Sequence, residues 1–112
     1  MPLTGVRILD LSRLAPGPYA TRLLAELGAE VIKLETPTGD FTRYTPPLAG
    51  DPPSGAVFRE LNAGKKSITL DLKDAEQVEI CRQLALQADV LVDGFRPGVL
   101  TRLGLDPREL MQ

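Results

Sequence analysis

The sequence predicts an α/β fold built on a parallel, Rossmann-like sheet, and three observations carry that reading. Short runs of Val, Ile and Leu at residues 6–11, 31–34 and 90–92 hold too little polarity for a strand with one wet face, and suit strands buried on both faces. Segments 19–27 and 75–87 carry apolar residues at helical spacing. The link from the first helix to the second strand is only a few residues long, which suits a β-α-β crossover.

In chain order, the first strand leads into a loop at 12–18 that contains Pro16, Gly17 and Pro18. The helix at 19–27 follows, with Tyr19, Leu23, Leu24 and Leu27 at helical spacing and Gly28 as its stop. The second strand is closed by Glu35. Residues 36–57 then read as a long loop, because Pro37, Pro46, Pro47, Pro52 and Pro53 with Gly39 and Gly50 cannot continue a helix or a central strand. Long loops in small domains are often functional. A third strand at 67–72 alternates Ile68, Leu70 and Leu72 with polar residues and is expected to be half-exposed. Asp74 can cap the helix at 75–87, whose Val78, Cys81, Leu84 and Ala85 share a face. The strand at 90–92 ends at Asp93, Gly94 and Phe95, and Pro97 and Gly98 open a short turn carrying Val99, Leu100 and Leu103. A last helix starts near Pro107 and has run about one turn at Gln112, so residues 1–112 are expected to be part of a larger domain, truncated within a helix.

Composition excludes several classes. At 112 residues, with 43% hydrophobic and 25% charged side chains, the chain has the make-up of one ordinary globular domain. Its 13 basic and 15 acidic residues are scattered and sum to −2, so no basic block invites nucleic acid. No apolar run reaches signal-peptide or membrane-span length, which makes a cytoplasmic location, with no membrane partner, the default. The sequence has no histidine and a single cysteine, Cys81, so a His-based triad, an internal disulfide and a Cys/His zinc site are all excluded from residues 1–112 and no metal is expected. Cys81 sits within a helical pattern and reads as a small buried thiol.

Ligands of a doubly wound sheet sit outside the carboxyl ends of its strands, so the loops at 12–18, 35–40 and 93–98 are expected to converge on a site. The first lacks the GxGxxG dinucleotide fingerprint, and its prolines remove backbone donors that a phosphate cradle would use; the plain alternative is a rigid turn eased by Gly17. Gly64-Lys65 echoes a phosphate loop but precedes a strand and lacks the upstream glycine, leaving Lys65 and Lys66 as a solvated pair that could meet an anionic group. The stretch 93–98 is denser: Gly94, the Phe95 ring and the Arg96 guanidinium suit a nucleotide, against the alternative of Phe95 in the core and Arg96 in water.

Four stretches taken together, LTGVRILDLS at 3–12, APGPY at 15–19, LGAEVIKLE at 27–35 and ADVLVDGFRPGVL at 88–100, resemble the N-terminal part of class III CoA-transferases and α-methylacyl-CoA racemases, the CaiB/BaiF type. Gly39-Asp40, NAGKK at 62–66 and LDLK at 70–73 fit the same pattern, so the resemblance spans nearly the whole chain. It implies that residues 1–112 are the first part of a large CoA-binding Rossmann-like domain in a much longer enzyme, whose two chains thread through each other as a homodimer. Such enzymes either transfer CoA from a thioester to a carboxylic acid through a mixed anhydride, or racemise a 2-methylacyl-CoA through an enolate.

By the same resemblance, coenzyme A, entering as acyl-CoA, is contacted by Gly94, Phe95, Arg96 and Arg102, with Leu70, Asp71, Leu72 and Lys73 nearby and with Leu14 and Ala15 near the thioester. The catalytic sets of both branches lie beyond the position of Gln112, so no catalytic residue is assigned. Relatives often carry arginine after the acidic residue that closes the second strand; here Thr36 follows Glu35, and Lys33, Arg43 or Lys65 can supply the charge. The APGP form leans towards the racemase-like or thioester-donor branch. Two other readings stay open: a standalone CoA or nucleotide-binding module, and a flavodoxin-like interaction domain with no CoA affinity.

Overall fold

The computed structural model describes residues 1–13, 16–50 and 53–111. Its elements are β1 (Arg7–Asp10), α1 (Pro16–Glu26), β2 (Glu30–Glu35), a 3-10 turn (Phe41–Arg43), β3 (Leu48–Ala49), β4 (Ser54–Gly55), α2 (Ala56–Leu61), β5 (Lys66–Thr69), α3 (Ala75–Gln87), β6 (Val90–Val92), α4 (Val99–Arg102) and α5 (Pro107–Leu110).

Four strands form one parallel sheet in the order β5-β2-β1-β6. Ile8 lies opposite Val31 on one side and Val90 on the other, and Ile32 lies opposite Lys66. The first three of these strands are laid down in one direction and the fourth on the far side of the first, as in half of a doubly wound sheet. The winding therefore reverses between β1 and β6, and that is where such folds open a crevice.

Alternation along the strands sorts side chains to two covers. Ile8, Ala29 and Val31 pack under Leu24 and Ala25 of α1. Leu9, Leu11, Leu34, Leu70 and Leu72 pack on the other face against Cys81 of α3 and against Leu100 and Leu105. Burying each of these leucines contributes on the order of 2 kcal/mol. Asp74 caps α3 by accepting a hydrogen bond from the Glu76 N–H, as expected.

Several expectations are corrected. The helix expected at 19–27 begins at Pro16, where a missing N–H costs nothing in the first turn. Its buried side is Pro18, Thr21 and Leu24, while Tyr19, Leu23 and Leu27 are exposed. The strand expected at 67–72 is ordered as β5 only to Thr69; Leu70 still donates its N–H to the Glu35 carbonyl, and Leu72 turns into the core. The loop at 36–57 holds the 3-10 turn and an antiparallel pair in which Leu48 faces Gly55, and α2, which was not foreseen, starts within it at Ala56. Gly55 is required there, because a Cβ would collide with the Thr42 carbonyl.

Candidate ligand-binding site

The loops after β1, β2 and β6 meet, with the segment after β5 closing the fourth side. Arg13, Thr36, Pro37, Thr38, Asp71, Leu72, Lys73, Phe95 and Leu103 line a cleft of about 430 Å³ at the carboxyl ends of the strands. The Arg13 guanidinium stands 6.0 Å from the centre of the Phe95 ring, so the two loops flanking the reversal point touch across it. The Phe95 N–H donates to Asp93 Oδ1 and the Lys73 N–H to Asp71 Oδ1, and these tight turns hold both segments in place.

Among the expected residues, Asp71, Leu72, Lys73 and Phe95 share this cleft. Leu70 lies beneath it in the core. Arg96 lines a smaller depression of about 200 Å³ with Phe95, Pro97, Gly98, Thr101 and Pro107, and Phe95 joins the two hollows. Gly94 is exposed, with open space where a Cβ would stand, and Arg102 is exposed on α4. Leu14 and Ala15 lie outside the described residues. A third groove, of about 530 Å³, runs along β6 between α3 and α5 and is lined mainly by Ala85, Ala88, Val90, Leu91, Leu110 and Met111. It contains none of the expected residues.

Behind the cleft, on the α1 face, lies a set of buried charges that sequence reasoning missed. Asp10 accepts hydrogen bonds from the Ser12 N–H and hydroxyl, from the Thr21 hydroxyl at 2.6 Å and from Lys65 Nζ at 3.1 Å. Lys65 also donates to the Pro18 carbonyl and to Asn62 Oδ1. Lys33 Nζ donates to the Ser12 carbonyl and to Asp40 Oδ2, each at 3.1 Å, and Asp40 Oδ1 receives the N–H and hydroxyl of Thr42. Two buried lysines thus clamp the loop after β1 at both ends. Arg43 forks onto Glu35 at 2.8 and 2.9 Å and lies 4.0 Å from the centre of the Phe58 ring.

Burial opposes the charge on Asp10, but the hydrogen bonds from Ser12 and Thr21 and the Lys65 ammonium outweigh it, and its pKa is lowered. Asp40 is lowered in the same way, by Thr42 and Lys33 against burial. Burial pushes Lys65 down, against the attraction of Asp10. The fork onto Glu35 raises Arg43. Burial raises the Cys81 thiol to about 11, which leaves it an inert core group.

The expectation of a solvated Lys65–Lys66 pair is therefore corrected: the Lys65 side chain is 1% exposed and that of Lys66 74%. Neighbouring side chains on extended backbone point to opposite sides, and one lysine went inward. The available signal was an Asp and a Lys placed inside otherwise apolar strand runs, at Asp10 and Lys33. Lys33, Arg43 and Lys65, the three cations considered in place of an arginine at Thr36, are all engaged by carboxylates of this chain.

A parallel sheet with the reversal between β1 and β6, and a cleft with cations at its strand ends, defines a Rossmann-like domain with a ligand crevice. Residues 3–112 match the family described as CoA-transferase family III, and the chain belongs to that family. It is 46% identical over 106 residues to human succinyl-CoA:glutarate CoA-transferase, covering 93% of this chain and 24% of that protein. It is 46% identical over 102 residues to formyl-CoA:oxalate CoA-transferase of Streptomyces avermitilis, covering 91% of this chain and 25% of that protein. A crystal structure of a CaiB/BaiF family protein from Brucella suis superposes with a TM-score of 0.93 at 41% identity, over 98% of this chain and 30% of that one. The chain thus spans about a quarter of the length of these curated relatives.

Among the described residues, no group of His, Cys, Asp and Glu is arranged to hold a metal ion, and no helix is long and apolar enough to cross a membrane.

Proposed function

We propose that residues 1–112 form the first part of the CoA-binding domain of an acyl-CoA enzyme, cytoplasmic and homodimeric, that moves CoA between a thioester and a carboxylic acid. One observation carries this reading: Asp71, Leu72, Lys73 and Phe95, drawn from two separate stretches of the family pattern, line a single cleft at the reversal of the sheet. Transfer is favoured over racemisation because relatives at 46% identity are named CoA-transferases.

The chemistry needs a carboxylate nucleophile that accepts the acyl group and then the CoA thiolate, and no residue of 1–112 is assigned that task. The part proposed for this chain is binding. Lys73 and Arg96 neutralise phosphate charge, Phe95 offers a ring face, and Arg102 adds a peripheral cation. Leu14 and Ala15 are proposed near the thioester. Energy gained on the remote nucleotide would be used to orient the reacting thioester.

Calorimetric titration with CoA tests this, beside Lys73→Ala, Arg96→Ala and Arg102→Ala. Binding by the unsubstituted protein that weakens roughly tenfold in the Lys73 and Arg96 variants is the expected result for lost charge-assisted contacts. A folded protein without CoA affinity would leave the interaction-domain reading standing instead.

A further inference from the structure

We infer that Arg13 is a phosphate-binding residue of this cleft, a role that rests on the CoA reading above. Arg13 is exposed and lines the cleft beside Thr36, Thr38 and Lys73. Among the described residues its guanidinium forms no hydrogen bond or ion pair, and its one directed contact there is with the Phe95 ring at 6.0 Å.

The nearby cations are committed elsewhere. Lys33 is held by Asp40 and Lys65 by Asp10, both with buried side chains, and Arg43 is forked onto Glu35. That leaves Arg13 and Lys73 as the cations lining the cleft, with Asp71 as its carboxylate and the hydroxyls of Thr36 and Thr38, 3.1 Å apart, at its edge. Asp71 Oδ1 is already occupied by the Lys73 N–H, so the lining as a whole favours an anion.

The backbone that presents Arg13 is also anchored. Ser12 donates its N–H and hydroxyl to Asp10, and its carbonyl accepts from buried Lys33. A guanidinium next to an anchored residue, over an aromatic ring and with its N–H donors unused by the described residues, can fork onto a phosphate ester in the cleft that it lines. Pro16 and Pro18 remove backbone donors from the first turn of α1, so this side chain takes the place of the N–H cradle that other sheets of this type use.

The test is titration of CoA into the unsubstituted protein, Arg13→Ala and Arg13→Lys at several salt concentrations, with inorganic pyrophosphate as a second ligand and thermal unfolding as a check on folding. Arg13→Ala is expected to weaken CoA about tenfold or more at low salt, with Arg13→Lys in between and the gap closing as salt rises. Equal affinity in Arg13→Ala, or a loss that salt does not change, would overturn the inference. If the unsubstituted protein ignores CoA yet binds pyrophosphate through Arg13, the CoA reading fails and the phosphate site stands. If it binds neither ligand, both fall.

Discussion

At the scale of single residues, the buried lysines decide how the loop after β1 is held. Removing Lys65 would leave Asp10 buried with only neutral donors, and losing one partner of a buried pair costs about 3–5 kcal/mol. Lys65→Met should lower the urea midpoint accordingly, and Asp10→Asn added to it should recover part of the loss. Replacing exposed Lys66 should change stability by under about 0.5 kcal/mol. The carboxylates also set the acid limit. Asp10 and Asp40 have folded pKa values below their unfolded value near 3.9, so the unfolded state binds more protons in that window. Their contribution is full above that value and is lost as pH falls through the folded values. Urea midpoints measured from pH 7 to pH 2 should stay level at first and then drop below about pH 4.

At the scale of elements, the start of α1 approaches the segment after β1 closely at Gly17. A Cβ at Gly17 would collide with the Ser12 side chain, so Gly17→Ala should cost about 1–3 kcal/mol and disturb the loop that carries Arg13. Both effects are measurable, as a shift in thermal midpoint and as weaker CoA binding. Asp74→Ala, which removes the α3 cap, should cost about 1 kcal/mol, read as a lower thermal midpoint. The four parallel strands and α3 were legible because apolar runs and a cap residue are local signals. The helix α2 was not: its six residues follow a Pro- and Gly-rich loop, too few to show a helical period, and Phe58 is the one it buries.

At the scale of the whole molecule, the sheet has two edges, and β6 is paired only with β1 among the described strands. Beside it runs the apolar groove between α3 and α5, and Val90 is 43% exposed. Unpaired edges next to apolar surface promote association, so Val90→Lys should reduce concentration-dependent light scattering with little change in thermal midpoint. The sequence by itself determined the α/β class, most of the strand runs and the family, because these are written in periodicity and contiguous motifs. Only the tertiary structure decided that Phe95 and Lys73 share a cleft with Arg13, and that Lys65 and Lys33 are buried counter-ions rather than surface charges. Those outcomes depend on which strands become neighbours and which way each side chain points, and partners 55 residues apart, such as Asp10 and Lys65, leave no local pattern to read.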